Sequence, residues 1–202
     1  NFFKMKRIVL IRHGKAAMEG KDHERELDED GIIQAESLKN KLINLGLKSS
    51  KIYASPFKRA IQTIKPFSET NKNVIIDQKK ELEEIHMPKD QKLTKHQIIE
   101  KMWEDENFKV LDGVSHKDHF NKIKPFLTDI FEKFKSDKDD LVIISHGVLI
   151  GLILKFFFKV QFGFNNWKTM TMPDIYFLNF DDNNNFIEMK RDNTNIERIF
   201  KI

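Results

Sequence analysis

Two stretches of this 202-residue chain repeat one pattern and indicate its fold: IVLIRHG at residues 8–14 and LVIISHG at residues 141–147. Each is a short apolar run typical of a buried strand, and the closing glycine allows a sharp turn. If the two strands lie side by side in a parallel sheet, the imidazoles of His13 and His146 meet at its carboxyl edge. Because open α/β sheets bind ligands at that edge, the pattern predicts a binding site together with a fold.

The composition suits a soluble globular protein and narrows the classes of function. Hydrophobic residues make up 40% of the chain and charged residues 33%, which excludes wholesale disorder. The net charge of +4 comes from dispersed lysines and indicates a field that attracts anions. No arginine-rich arm, zinc-finger spacing or aromatic RNA-binding motif is present, so we expect no nucleic-acid partner. Without cysteine, the chain has neither disulfides nor thiol catalysis.

The most apolar segment, residues 148–164, is interrupted by Lys155 and Lys159. We therefore predict a buried helix there and no contact with a membrane. Residues 1–5 lack the apolar stretch of a signal peptide, and a cytoplasmic protein is expected. The sequence leaves the oligomeric state open.

Strands and helices alternate along the chain. Strands are predicted at residues 6–11, 51–54, 74–77 and 141–145, with a closing hairpin at 175–180 and 186–191. Helices are predicted at residues 31–45, 55–66, 96–104 and 117–135. This order predicts an α/β fold, a three-layer α/β/α sandwich with a mostly parallel central sheet and helices on both faces. We expect one domain over residues 1–202, with a lid-like insertion around residues 84–116.

Two arginines are predicted to join the histidines at the carboxyl edge of the sheet. Arg12 precedes His13, and Arg59 lies in the first turn of a helix that Ser55 and Pro56 are predicted to begin as N-cap and first helical residue. Guanidinium groups match phosphate geometry, and helix N-termini attract anions. Either an Arg-His pair or a lone histidine would more often be structural, but the combination predicts a phosphate pocket.

The motifs resemble those of the histidine phosphatase superfamily, which includes cofactor-dependent phosphoglycerate mutases and many small phosphomonoesterases. The matching stretches occur in the family's order between residues 7 and 180: LIRHG at 10–14, ASPFKRAIQT at 54–63, LEEIH at 82–86 and ISHG at 144–147. The resemblance implies a phosphoglycerate mutase-like fold and phosphate chemistry at the paired histidines.

The resemblance also implies a role for each matching residue. His13 would be the catalytic nucleophile and Glu84 the proton donor, with Glu83 as the alternative donor. The phosphoryl oxygens would be bound by Arg12, Arg59, His146 and Gly147. An imidazole attacks only when neutral, and neighbouring arginines lower its pKa, while a bound phosphate raises that of the acid. No metal and no cofactor is expected, because cations and amides of the chain can stabilise the transferred charge.

Other positions depart from the family pattern. The acid, hydroxyl and asparagine usual after the first His-Gly are replaced by Lys15, Ala16 and Glu19, so one phosphate-binding side chain is missing. The glycine-rich stretch that usually follows the catalytic glutamate is absent from residues 87–91. No counterpart of the long, arginine-containing substrate loop of the mutases is found, which favours a phosphatase.

Three further residues are candidates for substrate binding: Arg25, Lys15 and His86. Arg25 belongs to a segment that resembles the small phosphohistidine-phosphatase branch, and a surface ion pair with Glu24 or Asp28 is its alternative. For His86 we expect a place at the entrance of the site.

His116 and His119 stand one helical turn apart, a spacing that can chelate a metal ion. Since no third ligand is evident, an exposed pair at the start of a helix is expected instead.

The leading hypothesis is a metal-independent histidine acid-type phosphatase that hydrolyses a small phosphorylated metabolite through a phosphohistidine and releases inorganic phosphate. One alternative is a phosphoglycerate mutase, in which the phosphoryl group returns to a bound acceptor. Another is a phosphoprotein-directed enzyme or a non-catalytic module that binds a phosphorylated ligand. The retention of the nucleophile and the acid argues against an inactive site.

Overall fold

The computed structural model describes residues 6–70 and 74–192 and the backbone of residues 197–200. Within these residues, seven strands form one sheet in the order β3-β2-β4-β1-β5-β6-β7. The strands are β1 (Lys6–Arg12), β2 (Lys51–Ala54), β3 (Ile75–Gln78), β4 (Leu141–Ser145), β5 (Asp174–Phe180), β6 (Phe186–Asp192) and β7 (Glu197–Phe200). The first four run parallel, and β5 to β7 add to them as antiparallel strands.

Helices cover both faces of the sheet, as predicted. They are α1 (Glu29–Asn44), α2 (Lys58–Ser68), α3 (Lys95–Glu104), α4 (His116–Ser136), α5 (Gly147–Leu152) and α6 (Phe164–Lys168), with short 3-10 turns at Asp22–Glu24 and Lys80–Leu82. Alternate side chains of β1 point to opposite sides: Ile8 and Leu10 pack with α3, α4 and α5, and Val9 and Ile11 pack with α1 and α2. The α/β/α sandwich is therefore confirmed.

The helix after β2 begins later than the sequence predicts. Ser55 is not its N-cap, because the Ser55 hydroxyl bonds to Nε2 of His146 at 2.7 Å and the Ser55 N–H bonds to the carbonyl of Ile144. The chain stays extended through Phe57, which occupies the N-cap position, and Arg59 still lies in the first turn. At the other end, α2 continues past Pro66 to Ser68.

The apolar segment 148–164 is not the single helix predicted. After α5 comes a π-helical turn, Ile153–Phe157, and then Lys159 adopts a left-handed backbone conformation with φ of 59°. The N–H of Val160 bonds back to the carbonyl of Leu154 at 2.9 Å and closes this end. No helix in the described part of the chain is long and apolar enough to cross a membrane.

The predicted hairpin is present as β5 and β6, and the sheet is extended by β7, which the sequence pattern did not predict. The expectation of an exposed His116–His119 pair is wrong, because His116 is 1% exposed and His119 is half-buried. The ring of His116 packs edge-on against Trp103 with centroids 4.5 Å apart, because the first turn of α4 lies against α3. Among the described residues, no group of three or more His, Cys, Asp or Glu side chains could hold a metal ion.

Candidate active site

The two histidines meet at the carboxyl edge of the sheet. β1 and β4 are parallel neighbours with Arg12 opposite Ser145, and the N–H of His13 donates to the carbonyl of Ser145 at 3.1 Å. The next residue on each strand is a histidine, and the ring centroids of His13 and His146 lie 5.1 Å apart. The repeated His-Gly pattern thus produces one site, as the sequence predicts.

His13 is held with Nε2 as its unprotonated ring nitrogen. Its Nδ1 lies 2.7 Å from the carbonyl oxygen of Gly14, so Nδ1 carries the proton of the neutral ring. The Gly14 N–H in turn donates to the hydroxyl of Thr63 on α2, which fixes the turn. Burial, followed by the nearby cation of Arg59, lowers the pKa of His13 to about 3. The imidazole is therefore neutral at ordinary pH, with the Nε2 lone pair directed toward Arg59.

Arg59 connects the two imidazoles. Its Nε donates to Nε2 of His13 at 3.1 Å, and its Nη2 donates to Nδ1 of His146 at 3.3 Å. Nη1 donates to the backbone carbonyl of Asp22, and Nη2 lies 3.4 Å from the Asp22 carboxylate. Only 2% of Arg59 is exposed, so its charge is directed into the site.

His146 is fully buried and carries its proton on Nε2. A guanidinium can only donate, so the contact with Arg59 identifies Nδ1 as the acceptor, and Nε2 donates to the hydroxyl of Ser55 at 2.7 Å. Burial first, and then the neighbouring His13 and Arg59, hold the pKa of His146 well below its usual value. The ring is a neutral, oriented group beside His13.

Arg12 enters the site from the other side of β1. Its Nη1 donates to the carbonyls of Met170 at 3.0 Å and Thr171 at 3.3 Å. Its guanidinium packs closely over Gly147, where a Cβ would lie 3.3 Å from the Arg12 Nε. Glycine at this position lets the arginine lie against the start of α5.

A buried ion pair on the antiparallel strands supports Arg12. Arg191 on β6 pairs with Asp174 on β5 at 2.6 Å, and both side chains are almost fully buried. The same carboxylate accepts from the N–H of Thr171 at 3.1 Å, and Arg191 donates to the carbonyl of Thr169. This pair orders the 169–171 turn whose carbonyls hold Arg12.

Glu84 lies at the N-terminus of α5. Its two carboxylate oxygens accept from the N–H groups of Ile85 at 3.1 Å and Val148 at 3.3 Å. The Ser145 hydroxyl donates to the carbonyl of Leu82 at 2.7 Å and ties the Glu84 loop to the end of β4. Burial raises the pKa of Glu84. The protonated form of the carboxyl is thus favoured at the start of α5.

Glu83 differs from its neighbour. Both side chains are half-buried and line the cleft, but within the described residues the Glu83 carboxylate accepts no hydrogen bond. The backbone therefore directs Glu84, and not Glu83, to the start of α5.

The three further candidates lie in different places. Arg25 pairs with Asp22 at 2.5 Å instead of Glu24 or Asp28, and its charge contributes to lowering the pKa of His13. His86 is exposed and lines the adjacent cleft, as expected.

The structure does not bring Lys15 to the histidines. Its ammonium pairs with Asp28 at 3.2 Å and Asp30 at 2.5 Å, at the N-terminus of α1. Those carboxylates lie in the first turn and N-cap of a helix, where negative charge is favoured, and they retain the lysine there.

A cleft of about 910 Å³ opens next to Glu84. Its wall is formed by the segment from Glu83 to Leu93 and the start of α3, opposite Phe57 and the 3-10 turn that contains Asp22. Lysines and carboxylates alternate with apolar side chains along it. The cleft adjoins the histidines through Phe57, whose ring centroid lies 4.9 Å from that of His146.

Sequence reasoning missed Asp22, Ser55, Asp174 and Arg191 as members or supports of the site. Asp22 belongs to the segment that contains Arg25, but its type and position give no sign that it faces Arg59. Each of the others acts through a partner distant in the chain, and no local spacing signals those pairs.

Comparisons with known proteins agree with this fold. A family model, histidine phosphatase superfamily (branch 1), matches residues 8–193. The 5''-phosphoribostamycin phosphatase of Niallia circulans is 29% identical over 166 residues, which are 75% of this chain and 78% of that protein.

Two solved structures share the fold at low sequence identity. A mycobacterial glucosyl-3-phosphoglycerate phosphatase superposes with a TM-score of 0.69 and 21% identity, covering 88% of this chain and 91% of its own. A phosphoserine phosphatase mutant from Entamoeba histolytica, solved with phosphoserine, gives 0.68 and 18%, covering 90% and 96%. With nearly the whole chain matched by the family model, the protein belongs to branch 1 of the histidine phosphatase superfamily.

Proposed function

We propose that this protein is a phosphomonoesterase that transfers the phosphoryl group of a small metabolite to Nε2 of His13 and then to water. The observation that carries the proposal is the state of His13, a neutral ring with its proton fixed on Nδ1 by Gly14 and its Nε2 lone pair facing Arg59. A lone pair directed at a guanidinium is positioned to meet the phosphate that the same guanidinium attracts.

In this proposal the phosphoryl oxygens are bound by Arg12, Arg59 and the N-terminus of α5. His146 donates to an oxygen in its other tautomer, with the proton on Nδ1 and the Ser55 hydroxyl donating to Nε2. Two guanidinium groups and the amides beside Gly147 place positive charge where negative charge develops on the phosphoryl oxygens. Arg12 is already held by backbone carbonyls, whereas Arg59 exchanges its contact with His13 for one with the phosphate. They supply the required charge without a metal or cofactor.

Glu84 transfers the protons. As the bond from Nε2 to phosphorus forms and the ester P–O bond breaks, the leaving oxygen takes the proton of Glu84. The carboxylate then accepts a proton from water, whose oxygen attacks phosphorus while the P–N bond breaks. Phosphate leaves, and His13 returns to its neutral form.

Small phosphorylated metabolites are the proposed substrates. The names of the relatives specify phosphoribostamycin, glucosyl-3-phosphoglycerate and phosphoserine as ligands of those proteins, and all three are phosphate monoesters of small molecules. The cleft of about 910 Å³ suits a leaving group of that size. We propose one domain, with residues 84–116 as the lid that selects the substrate, and a cytoplasmic site of action.

A panel of phosphomonoesters assayed with a metal chelator present tests the proposal. Wild-type protein should release inorganic phosphate from at least one small ester, and His13→Ala should not. A coupled assay for conversion of 3- to 2-phosphoglycerate distinguishes a mutase. Absence of turnover on every ester, with phosphate still bound, would mean a binding module instead.

A further inference from the structure

Trp167 on α6 lies against the residues of the proposed phosphate site. A Cβ on Gly147, the residue that begins α5, would lie 3.1 Å from the indole Nε1 of Trp167 and 3.3 Å from Nε of Arg12. Both nitrogens therefore meet over the same face of this glycine. Nothing in the sequence pattern of residues 148–164 points to Trp167, because it follows that segment on a separate helix.

Nε of Arg12 is an unpartnered buried donor, and the indole of Trp167 beside it is half-buried. Nε of Arg12 is buried and makes no hydrogen bond, and Trp167 Nε1 donates to none of the described residues. The carbonyls of Met170 and Thr171 occupy only Nη1 of Arg12. Buried donors in native proteins are nearly always satisfied, so a ligand oxygen is the missing partner of Arg12 Nε, and the indole N–H on the same face of Gly147 can reach that oxygen.

The surroundings of Trp167 hold its indole in place. The ring meets His96 of α3 edge-on at 5.5 Å and stacks on Phe164 at 5.8 Å. The carbonyl of Trp167 accepts from the N–H of Met170, and the carbonyl of Met170 accepts from Arg12. Trp167 and Arg12 are thus fixed by one turn of the chain.

We propose that the indole N–H of Trp167 and the Nε–H of Arg12 together bind one oxygen of the phosphoryl group. The inference rests on the proposed function and adds a residue to its site. An indole N–H only donates, so it favours a fully ionised phosphate oxygen over a protonated one. Its neutral dipole also adds no positive charge that would hold the product too tightly.

Replacement of Trp167 by phenylalanine tests the hydrogen bond while retaining an aromatic ring. Trp103→Phe is the matched control, because Trp103 is buried in the core against His116 and Phe162. Competitive inhibition by phosphate and by vanadate should weaken about tenfold in Trp167→Phe. It should stay within about twofold of wild type in Trp103→Phe.

Intrinsic fluorescence gives a second reading that does not depend on the stability of Trp167→Phe. The chain contains two tryptophans, so the Trp103→Phe protein reports on Trp167 alone. Phosphate should change its emission saturably, at concentrations matching those that inhibit turnover. Active wild-type enzyme combined with unchanged inhibition in Trp167→Phe, or with no change of emission, would overturn the inference. Inactive wild-type enzyme that still binds phosphate would overturn the proposed function alone.

Discussion

Arg59 donates from Nε to Nε2 of His13 at 3.1 Å, so the free protein covers the lone pair of its proposed nucleophile with a cation. The same guanidinium reaches the carboxylate of Asp22 at 3.4 Å, and Asp22 also pairs with Arg25 at 2.5 Å. A phosphate that enters must therefore take Arg59 from both partners. The Asp22 carboxylate thus neutralises part of the positive charge of Arg59 and Arg25 that would otherwise attract the phosphate.

Asp22→Asn should tighten the binding of inorganic phosphate. Loss of the carboxylate frees Arg59 and Arg25, and because Asp22 is largely exposed the gain should reach about fivefold at most. The inhibition constant of phosphate, measured at low and high salt, checks it. Glu24→Gln removes an exposed charge from the same 3-10 turn and should change little. Weaker binding by Asp22→Asn would show that the carboxylate supports the site.

The loss of activity in Glu84→Gln should depend on the leaving group of the substrate. Alkyl phosphates need a proton on the departing oxygen, so their kcat should fall by about 100-fold or more, whereas p-nitrophenyl phosphate should lose much less. Steady-state kinetics on both ester types measures the difference. Glu83→Gln is the matched control, and an equal loss there would contradict the assignment.

The dependence of activity on pH also tests the role of Glu84 as the acid. Glu84 must be protonated to act as an acid, so activity on alkyl esters should decline as pH rises through its raised pKa. The acid limb set by His13 lies near pH 3, because that ring must be neutral to attack. The alkaline limb should disappear in Glu84→Gln.

Asp174→Ala should destabilise the fold and weaken the site together. It leaves Arg191 buried without its partner, which costs about 3–5 kcal/mol, and it loosens the turn that holds Arg12. Urea unfolding and the KM for substrate measure the two effects. Asp129→Asn, which breaks an exposed pair with Lys133, should change stability by less than about 1 kcal/mol. Full stability in Asp174→Ala would mean that the buried pair is dispensable.

His116 should make the fold sensitive to acid. Burial, followed by the charge of Lys155, lowers its pKa from 6.5 to about 3, so the unfolded chain binds the proton first as pH falls. The stability is fully present above pH 6.5 and decreases toward pH 3, with a loss of about 2 kcal/mol at pH 5. His116→Phe should lose less stability between pH 7 and pH 5 than wild type, as followed by urea unfolding.

His23→Gln, a change at an exposed histidine, provides the comparison for His116→Phe. It should retain the full wild-type dependence on pH. The same slope in His116→Phe and wild type would contradict the role of His116.

Much of the site could be predicted because its residues follow strand ends. Apolar runs define β1 and β4, and parallel pairing then brings His13 and His146 together whatever the rest of the chain does. Arg59 remained in the first turn of α2 even though Ser55 was wrongly assigned as its N-cap. Strand position is thus a stronger guide than helix caps here.

The parts of the site and fold that the sequence did not predict depend on contacts between residues far apart in the chain, which no local sequence pattern indicates. Ser55 turns to His146 because the buried imidazole needs a partner, and Lys15 remains with the carboxylates at α1. The segment 148–164 is apolar enough for one helix, but its end is set by the left-handed backbone at Lys159. Such choices are made by tertiary packing.

Detection of a phosphoenzyme tests the central claim most directly. Wild-type protein mixed with p-nitrophenyl phosphate and quenched in alkali should carry one phosphoryl group on the peptide that contains His13, stable to base and lost in acid. His13→Ala should show neither the modification nor turnover. A phosphoryl group on another residue, or turnover that persists in His13→Ala, would contradict the account.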